Sequence, residues 1–203
     1  MRGLTAILCL AAISCCAQSW QVKKHPNGKR MAIQVDSVII SDFVYTEVSE
    51  LSEGKAYVAQ GELYAYINER GEELTPYVFT VATNFQNGFA IVGDSSTQSV
   101  IDDSMQLIFP LEYARVRLPV LGLIVVQSLQ GDWGVVDIDG NVKLPCIYDL
   151  PPHVINRDCI IVRKNEEYGV VNDCNMVVHT MRYQYISPDG LGYKSGKYLR
   201  LFE

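Results

Sequence analysis

Residues 131–149 read GDWGVVDIDGNVKLPCIYD, and this stretch decides the fold of the chain. It opens with the aromatic–glycine pair Trp133-Gly134 and two valines, which favour a β-strand. The segment Asp137-Ile138-Asp139-Gly140 predicts a tight turn, because Asp caps turns through its side chain and Gly adopts positive φ at no steric cost. A short apolar run then leads to Pro145 and Tyr148. The stretch therefore predicts consecutive antiparallel strands joined by a turn.

The same pattern recurs along the chain at intervals of 34 or 35 residues. Aromatic–small pairs stand at Tyr64-Ala65, Trp133-Gly134 and Tyr168-Gly169, and Gln98-Ser99 occupies the corresponding place between the first two. A second aromatic residue follows each copy, at Tyr45, Phe79, Tyr113, Tyr148 and Tyr183. Recurrence at a fixed period of this length is the signature of a repeat architecture. The pairs at 64–65, 133–134 and 168–169 are therefore predicted to be the cores of successive repeats.

Each copy is short and rich in β-branched and aromatic residues, with no sustained helical period. We predict an all-β fold of tandem β-hairpin or meander repeats of about 35 residues, stacked as an open array. A closed β-propeller-like arrangement is the alternative, although the period is short for a four-stranded blade. The rings of the pairs are expected to stack from unit to unit as a core ladder. The small residue beside each ring is expected to permit close approach of another backbone.

The order of aromatic–Gly pair, Asp-rich Gly turn, hydrophobic–Pro step and Tyr-Asp in residues 131–149 resembles the WG-repeat (KWG) family of bacterial proteins. The segment Ser52-Glu53-Gly54-Lys55-Ala56 matches a further step of the family pattern. The resemblance covers about residues 28–202, as about five units. It implies an all-β repeat domain, often in an exported or surface protein. It transfers no catalytic residue, because the family carries no general enzymatic activity.

The N-terminus has the layout of an export signal. Arg2 precedes an apolar run from Leu4 to Ile13, and small residues follow. Such a run is too short to span a membrane as a helix. Two processing routes fit the sequence. Cleavage after Ala17 releases an unmodified protein, whereas a lipobox-like cleavage leaves Cys15 or Cys16 as a diacylated N-terminus.

These features predict a signal peptide at 1–17, an N-terminal linker at 18–27 and a single β-repeat domain at 28–203. The protein is expected to be exported to the periplasm, cell envelope or extracellular space. Membrane contact is expected only through an N-terminal lipid anchor. The 203-residue chain is 48% hydrophobic and carries a formal net charge of −6, so the composition excludes a disordered chain and disfavours nucleic-acid binding.

Motifs that carry chemistry are weak in this sequence. The three histidines lack the spacing of a zinc site, and residues 137–140 lack the remaining ligands of a calcium loop. Nucleophile-elbow, Walker and dinucleotide motifs are absent from the sequence. We therefore predict no enzyme activity, no cofactor, and no catalytic or metal-binding residues. Of Cys146, Cys159 and Cys174, one pair can form a disulfide in an oxidising compartment, and three free thiols are the alternative.

The leading functional hypothesis is an exported, non-catalytic binding or scaffold module of the bacterial cell envelope. Stacked repeats create an extended surface whose positions outside the core can vary without loss of the fold. The partner is expected to be a protein or glycan of the envelope, and Tyr57, Tyr66 and Tyr193 are candidates for recognition. The alternatives are an envelope hydrolase with an active site built between repeats, and a purely structural lipoprotein.

Overall fold

The computed structural model describes residues 20–28, 30–42 and 44–202, and within them every regular element is a β-strand. The predicted signal peptide, with Cys15 and Cys16, lies outside these residues. The strands form six small antiparallel sheets, each a meander of neighbours in sequence. In chain order the sheets are β1–β3 (Trp20–Lys24, Met31–Val35, Val38–Ile39), β4–β6 (Glu47–Val48, Lys55–Gln60, Leu63–Asn68), β7–β9 (Val81–Ala82, Phe89–Gly93, Gln98–Asp102), β10–β13 (Arg115–Val116, Leu123–Gln127, Trp133–Asp137, Val142–Tyr148), β14–β17 (His153–Asn156, Cys159–Lys164, Glu167–Val171, Val177–Tyr183) and β18–β20 (Tyr185–Ile186, Leu191–Lys194, Lys197–Arg200). No helix in this part of the chain is long and apolar enough to cross a membrane.

One antiparallel pairing joins the two aromatic positions of each repeat. Trp133 pairs with Tyr148, and Tyr168 pairs with Tyr183, across the third and fourth strands of their sheets. In the earlier units the fourth strand is reduced to bridges, and the equivalent pairs are Met31–Tyr45, Tyr64–Phe79 and Gln98–Tyr113. The recurring positions of the sequence are therefore the two halves of one structural pair.

Five hydrophobic clusters hold the six sheets together, one between each pair of consecutive sheets. Adjacent residues of one strand pack against different sheets. Val135 lies in the cluster shared with the following sheet, and Val136 lies in the cluster shared with the preceding sheet. Side chains on a strand alternate between its two faces, so a sheet covered on both faces reads as a continuous apolar run. The prediction of an all-β array of tandem meanders is confirmed, and none of the sheets closes on itself.

The structure differs from the predicted boundaries in two places. Strand β1 lies within the segment predicted as a linker and pairs along its whole length with β2, because Trp20 packs against the first cluster. The domain also has one more sheet than the predicted five units. In the sixth sheet Tyr198 stands in the first aromatic position, but it follows Tyr168 after 30 residues rather than 34 or 35. A loop of this unit is therefore shorter than its equivalents, and the sixth unit does not follow the period of 34 or 35 residues.

The two aromatic positions of each repeat differ in how deeply their rings are buried. The rings of Tyr64, Trp133 and Tyr168 are only half-buried. The second aromatic fills the core instead, since Tyr148 and Tyr183 are each 2% exposed. Trp133 is the first residue of β12, and its ring packs against the cluster between the fourth and fifth sheets without full burial. The first-position rings therefore pack against the clusters without full burial, and Tyr45, Phe79, Tyr148 and Tyr183 of the second position are buried within them.

The small residue after the first aromatic lies under a β-bulge. Opposite Gly134, the pairing jumps from Trp133–Tyr148 to Val135–Leu144, so three residues of β13 face one residue of β12. A Cβ atom at Gly134 would lie 2.6 Å from the Leu144 carbonyl oxygen. Gly169 lies under the equivalent bulge, where a Cβ would meet the His179 carbonyl oxygen at 2.8 Å. The close backbone approach expected from the sequence is thus made by the strand that carries Pro145.

The polar turns are closed by the side chain of their first residue. The Asp137 carboxylate accepts backbone N–H groups from Asp139 at 3.1 Å and Asn141 at 2.8 Å. Asn68, Asp102 and Asn172 accept the corresponding pairs of N–H groups in their own units. This arrangement is the turn chemistry expected of Asp and Asn.

Tyr66 ties the second sheet to the third and is wholly buried, which removes it from the predicted recognition residues. Its hydroxyl donates to the Thr83 carbonyl oxygen at 2.6 Å and accepts the Thr83 N–H at 3.2 Å. The ring also packs edge-to-face on Phe85 with 5.2 Å between centroids. Burial raises the pKa of the Tyr66 hydroxyl above its ordinary value of 10.0.

This shift predicts a loss of stability in alkali. Above pH 10 the unfolded chain releases the Tyr66 proton and the folded chain retains it, so stability falls as pH rises towards the folded pKa. One such group contributes a slope of up to about 1.4 kcal/mol per pH unit. We expect Tyr66→Phe to reduce the slope of unfolding free energy against pH, measured by urea denaturation from pH 9 to 11. The neighbouring Ile67→Val should lower the whole curve and keep its slope. An unchanged slope in Tyr66→Phe contradicts the assignment.

Candidate functional site

A concave surface lies where the fourth, fifth and sixth sheets meet. Two adjoining hollows of about 300 and 290 Å³ share Arg117 and His153 in their walls. The first hollow extends to Tyr168 and Tyr185, and the second to Val120. We refer to the two hollows, with Arg117 and His153 between them, as the Arg117 groove.

Arg117 occupies a position that other units give to a hydroxyl residue. Ser49, Thr83 and Ser187 each follow the short first strand of a sheet, and each hydroxyl accepts an N–H from the second strand. The distances are 2.9 Å from Tyr57, 2.9 Å from Ile91 and 3.1 Å from Leu191. Arg117 follows β10 in the same way, but only its backbone N–H contacts the second strand, at the Val125 carbonyl. Its side chain therefore leaves the strand pair.

The guanidinium of Arg117 lies over the Trp133 ring, 5.6 Å from the ring centroid. A second arginine repeats this arrangement in the next sheet. Arg163 on β15 pairs in register with Tyr168 on β16, and its guanidinium lies 5.8 Å from the Tyr168 centroid. Tyr168 in turn contacts Tyr185 of the sixth sheet edge-to-face, with 6.0 Å between centroids. Two cation–π pairs therefore line one continuous surface across three sheets.

The groove carries positive charge without a paired acid. The ion pairs in the described residues are Lys55–Asp103, Lys143–Asp137 and Arg157–Asp173. Neither Arg117 nor Arg163 belongs to them, although the whole chain has a formal net charge of −6. A local excess of positive charge in an acidic protein favours an anionic ligand at this place.

Apolar residues exposed to solvent border the groove. On one side they are Val120 and Leu121, 53% and 58% exposed, and on the other Leu150, 40% exposed and followed by two prolines. Leu121 has a φ of 53°, in the left-handed region that a bulky residue rarely adopts. The equivalent turns place Glu53 and Asn87 there. A strained, exposed leucine beside a groove is typical of a functional surface rather than of a turn chosen for stability.

The described residues offer little for catalysis or metal binding. They contain no group of three or more His, Cys, Asp or Glu side chains able to hold a metal ion. Cys146, Cys159 and Cys174 are free and unbridged. Burial raises the pKa of the Cys146 and Cys159 thiols, which opposes formation of a nucleophilic thiolate. The groove itself presents apolar side chains and guanidinium N–H groups.

Some of the residues predicted from the sequence lie at this groove, and others lie elsewhere in the structure. Trp133 and Tyr168, predicted as repeat cores, provide the rings beneath the two arginines. Tyr57 lies elsewhere, where its hydroxyl and that of Tyr64 donate to Glu47 at 3.2 and 2.9 Å. Tyr193 packs on Tyr198 in the last sheet.

Sequence reasoning missed Arg117, Arg163 and His153. One signal for Arg117 was present, since it breaks a Ser/Thr position of the repeat register. Arg163 and His153 carry no comparable signal, because their proximity depends on how consecutive sheets pack.

Comparison with known proteins gives a family match and several distant structural similarities, two of which are given below. No curated protein sequence matches the chain. Kluyveromyces lactis Hsv2 is similar with 14% identity and a TM-score of 0.44, over 92% of this chain and 72% of that one. The crystal structure of the N-terminal domain of Nup159 is similar with 11% identity and a TM-score of 0.37, over 78% of this chain and 44% of that one. The family model described as WG containing repeat matches residues 64–93 and 133–168. These segments begin at the predicted pairs Tyr64-Ala65 and Trp133-Gly134, so the predicted resemblance to WG repeats is confirmed over these two segments of the chain.

Proposed function

We propose that this protein, which contains segments matching WG repeats, is a non-catalytic binding module of the cell envelope, and that it holds a protein or glycan partner in the Arg117 groove. The observation that carries the proposal is the pair of ring-stacked arginines, outside every described ion pair, beside two apolar hollows. Concave apolar surfaces with a few convergent polar groups are the usual form of a binding site. The export signal predicted at residues 1–17 supports the envelope as the place of action.

The repeat architecture explains how such a groove arises without disturbing the fold. The clusters between sheets are built from residues that point into neighbouring sheets, such as Leu123 and Ile160. Arg117 lies outside those clusters, so exchanging a hydroxyl residue for arginine there changes the surface and leaves the core intact. A binding role therefore requires only substitutions at surface positions of a conventional repeat.

The proposal predicts a partner whose capture depends on Leu150. Leu150→Glu places a negative charge in the first hollow and should repel an anionic ligand. Leu63→Glu is a matched control, because Leu63 is 39% exposed against 40% for Leu150 and lies on the second sheet. The purified protein and both variants are used to capture partners from envelope extract, after thermal unfolding shows comparable stability. Wild type and Leu63→Glu should enrich the same partner, and Leu150→Glu should lose it. Identical profiles for all three proteins, or no enriched partner, count against the proposal.

A further inference from the structure

We infer that the Arg117 groove takes an extended peptide segment that combines apolar side chains with carboxylates. This inference rests on the proposed binding function and names the chemistry of the ligand. The carboxylates contact the guanidinium groups of Arg117 and Arg163, and the apolar side chains enter the two hollows between the arginines and the surrounding prolines.

The stacking of the arginines selects for a carboxylate. A guanidinium that lies over a ring keeps the N–H groups of its edge, which match the two oxygens of a carboxylate. Both guanidinium groups are held by rings from their own sheets, Trp133 and Tyr168. They are therefore positioned before the ligand arrives, and less side-chain entropy is lost when it binds.

The same stacking argues against a sugar chain as the ligand. Sugars in binding sites commonly pack their apolar faces on exposed aromatic rings, as quaternary cations do in aromatic cages. Here one face of the Trp133 ring and one face of the Tyr168 ring are already covered by arginine. The remaining surface combines guanidinium N–H groups and aliphatic side chains with the exposed ring of Tyr185, and its two arginines complement the carboxylates of an acidic peptide, which a neutral glycan lacks.

The apolar lining and the shape of the groove indicate an extended chain. Leu150, Pro151 and Ile186 line the first hollow, and Leu118, Val120 and Pro152 line the second. Volumes of about 300 and 290 Å³ suit individual side chains rather than a folded domain. Because the hollows lie on either side of Arg117 and His153, successive side chains of one extended segment can fill both.

An exposed strand edge adds backbone contacts along this path. Strand β14 is the edge strand of its sheet, and its residues His153 and Val154 line the second hollow. The outer backbone groups of an edge strand can pair with an added strand, which supplies affinity without sequence preference. The side-chain hollows and the arginines then supply the preference for apolar and acidic residues.

Selection from a library of random ten-residue peptides tests this inference. The full protein should enrich peptides in which Asp or Glu alternates with Leu, Phe or Pro. The strongest peptide is then labelled with fluorescein and titrated by anisotropy beside a version carrying Gln for Glu and Asn for Asp. We expect the neutral version to bind about tenfold more weakly or worse, and binding of the acidic version to weaken as salt rises.

Arginine variants assign the effect to the groove. Arg117→Gln and Arg163→Gln should each weaken the acidic peptide by about tenfold and leave the neutral version unchanged. Arg115→Gln is the matched control, since Arg115 is exposed on β10 two residues from Arg117 and lies outside both hollows. Arg117→Lys keeps the charge without the planar fork and should give an intermediate loss. If Arg117→Gln does not fold, the peptide affinity of Arg117→Lys still measures the contribution of Arg117.

Three results of the peptide experiments overturn the inference. They are enrichment of peptides without acidic residues, equal affinity for the acidic and neutral versions, and failure of the library to yield any binder. Binding of polygalacturonate that Arg117→Gln abolishes, with no peptide bound, also overturns it in favour of a glycan. If capture from envelope extract still depends on Leu150 in these cases, only the peptide inference fails. If capture is indifferent to Leu150, the proposed function fails with it.

Discussion

Replacing Tyr148 with alanine should lower the free energy of unfolding by about 3–5 kcal/mol, the range for removing a large ring from a core. Tyr148 is 2% exposed and packs with Leu144 and Ile160 in the cluster that joins the fourth and fifth sheets. Its hydroxyl donates to Asn175 Oδ1 at 3.2 Å, so the ring and its polar group both span the interface. Urea denaturation followed by tryptophan fluorescence measures the change, because Trp133, one of the two tryptophans of the chain, pairs directly with Tyr148.

Tyr168→Ala is the matched comparison for the loss of unfolding free energy in Tyr148→Ala. It removes the same side chain from the first aromatic position, where the ring is half-buried and partly covered by Arg163. We expect a loss of about 1–2 kcal/mol, in proportion to the smaller apolar area buried. Equal losses in the two variants, or a larger loss in Tyr168→Ala, would restore the first-position rings as the core of the array.

The repeat sequence predicts the order and type of the elements because local chemistry determines them. Asp137 and Asn172 begin turns through hydrogen bonds to their own neighbours, and Val135-Val136 form a strand wherever both faces are covered. These interactions lie within one unit or between identical units. They therefore leave a periodic signal in the sequence.

The burial of each aromatic ring depends on packing between units, and the period does not report it. Trp133 and Tyr148 recur with equal regularity, yet Tyr148 is fully buried in the cluster with the next sheet, whereas Trp133 packs against that cluster and is only half-buried. Strand β1 escaped prediction because five residues without a repeat partner give little periodicity, and the strand is ordered by its pairing with β2 and by the packing of Trp20 against the first cluster. The groove was missed for the same reason, since Arg117 and Arg163 belong to different sheets.

Gly134→Ala should destabilise the protein by about 2–3 kcal/mol, at the upper part of the range for forcing an extra carbon into a packed site. The new Cβ would lie 2.6 Å from the Leu144 carbonyl oxygen and 2.9 Å from the Cys146 backbone N. Both atoms belong to the bulge of β13, whose position is fixed by pairing on either side. Relief of the contact requires movement of the bulge, and with it of Tyr148, which anchors the interface with the fifth sheet.

Two matched changes separate this backbone contact from the general effects of glycine. Gly61→Ala adds the same carbon where nothing lies within 4 Å, at a φ of 69°, and should cost about 1 kcal/mol through left-handed strain alone. Ala65→Gly makes the reverse exchange at the equivalent position of the second unit, where the fourth strand is reduced to bridges and Ala65 is fully buried. It should also cost about 1 kcal/mol, through chain entropy and a lost methyl contact. Alanine is therefore expected to be less stable than glycine at position 134 and more stable than glycine at position 65. The bulge of a full fourth strand requires glycine beneath it, whereas a partial fourth strand leaves room for alanine. A neutral Gly134→Ala, measured by the same denaturation, would show that β13 yields to the added carbon and that the aromatic–glycine pair has another origin.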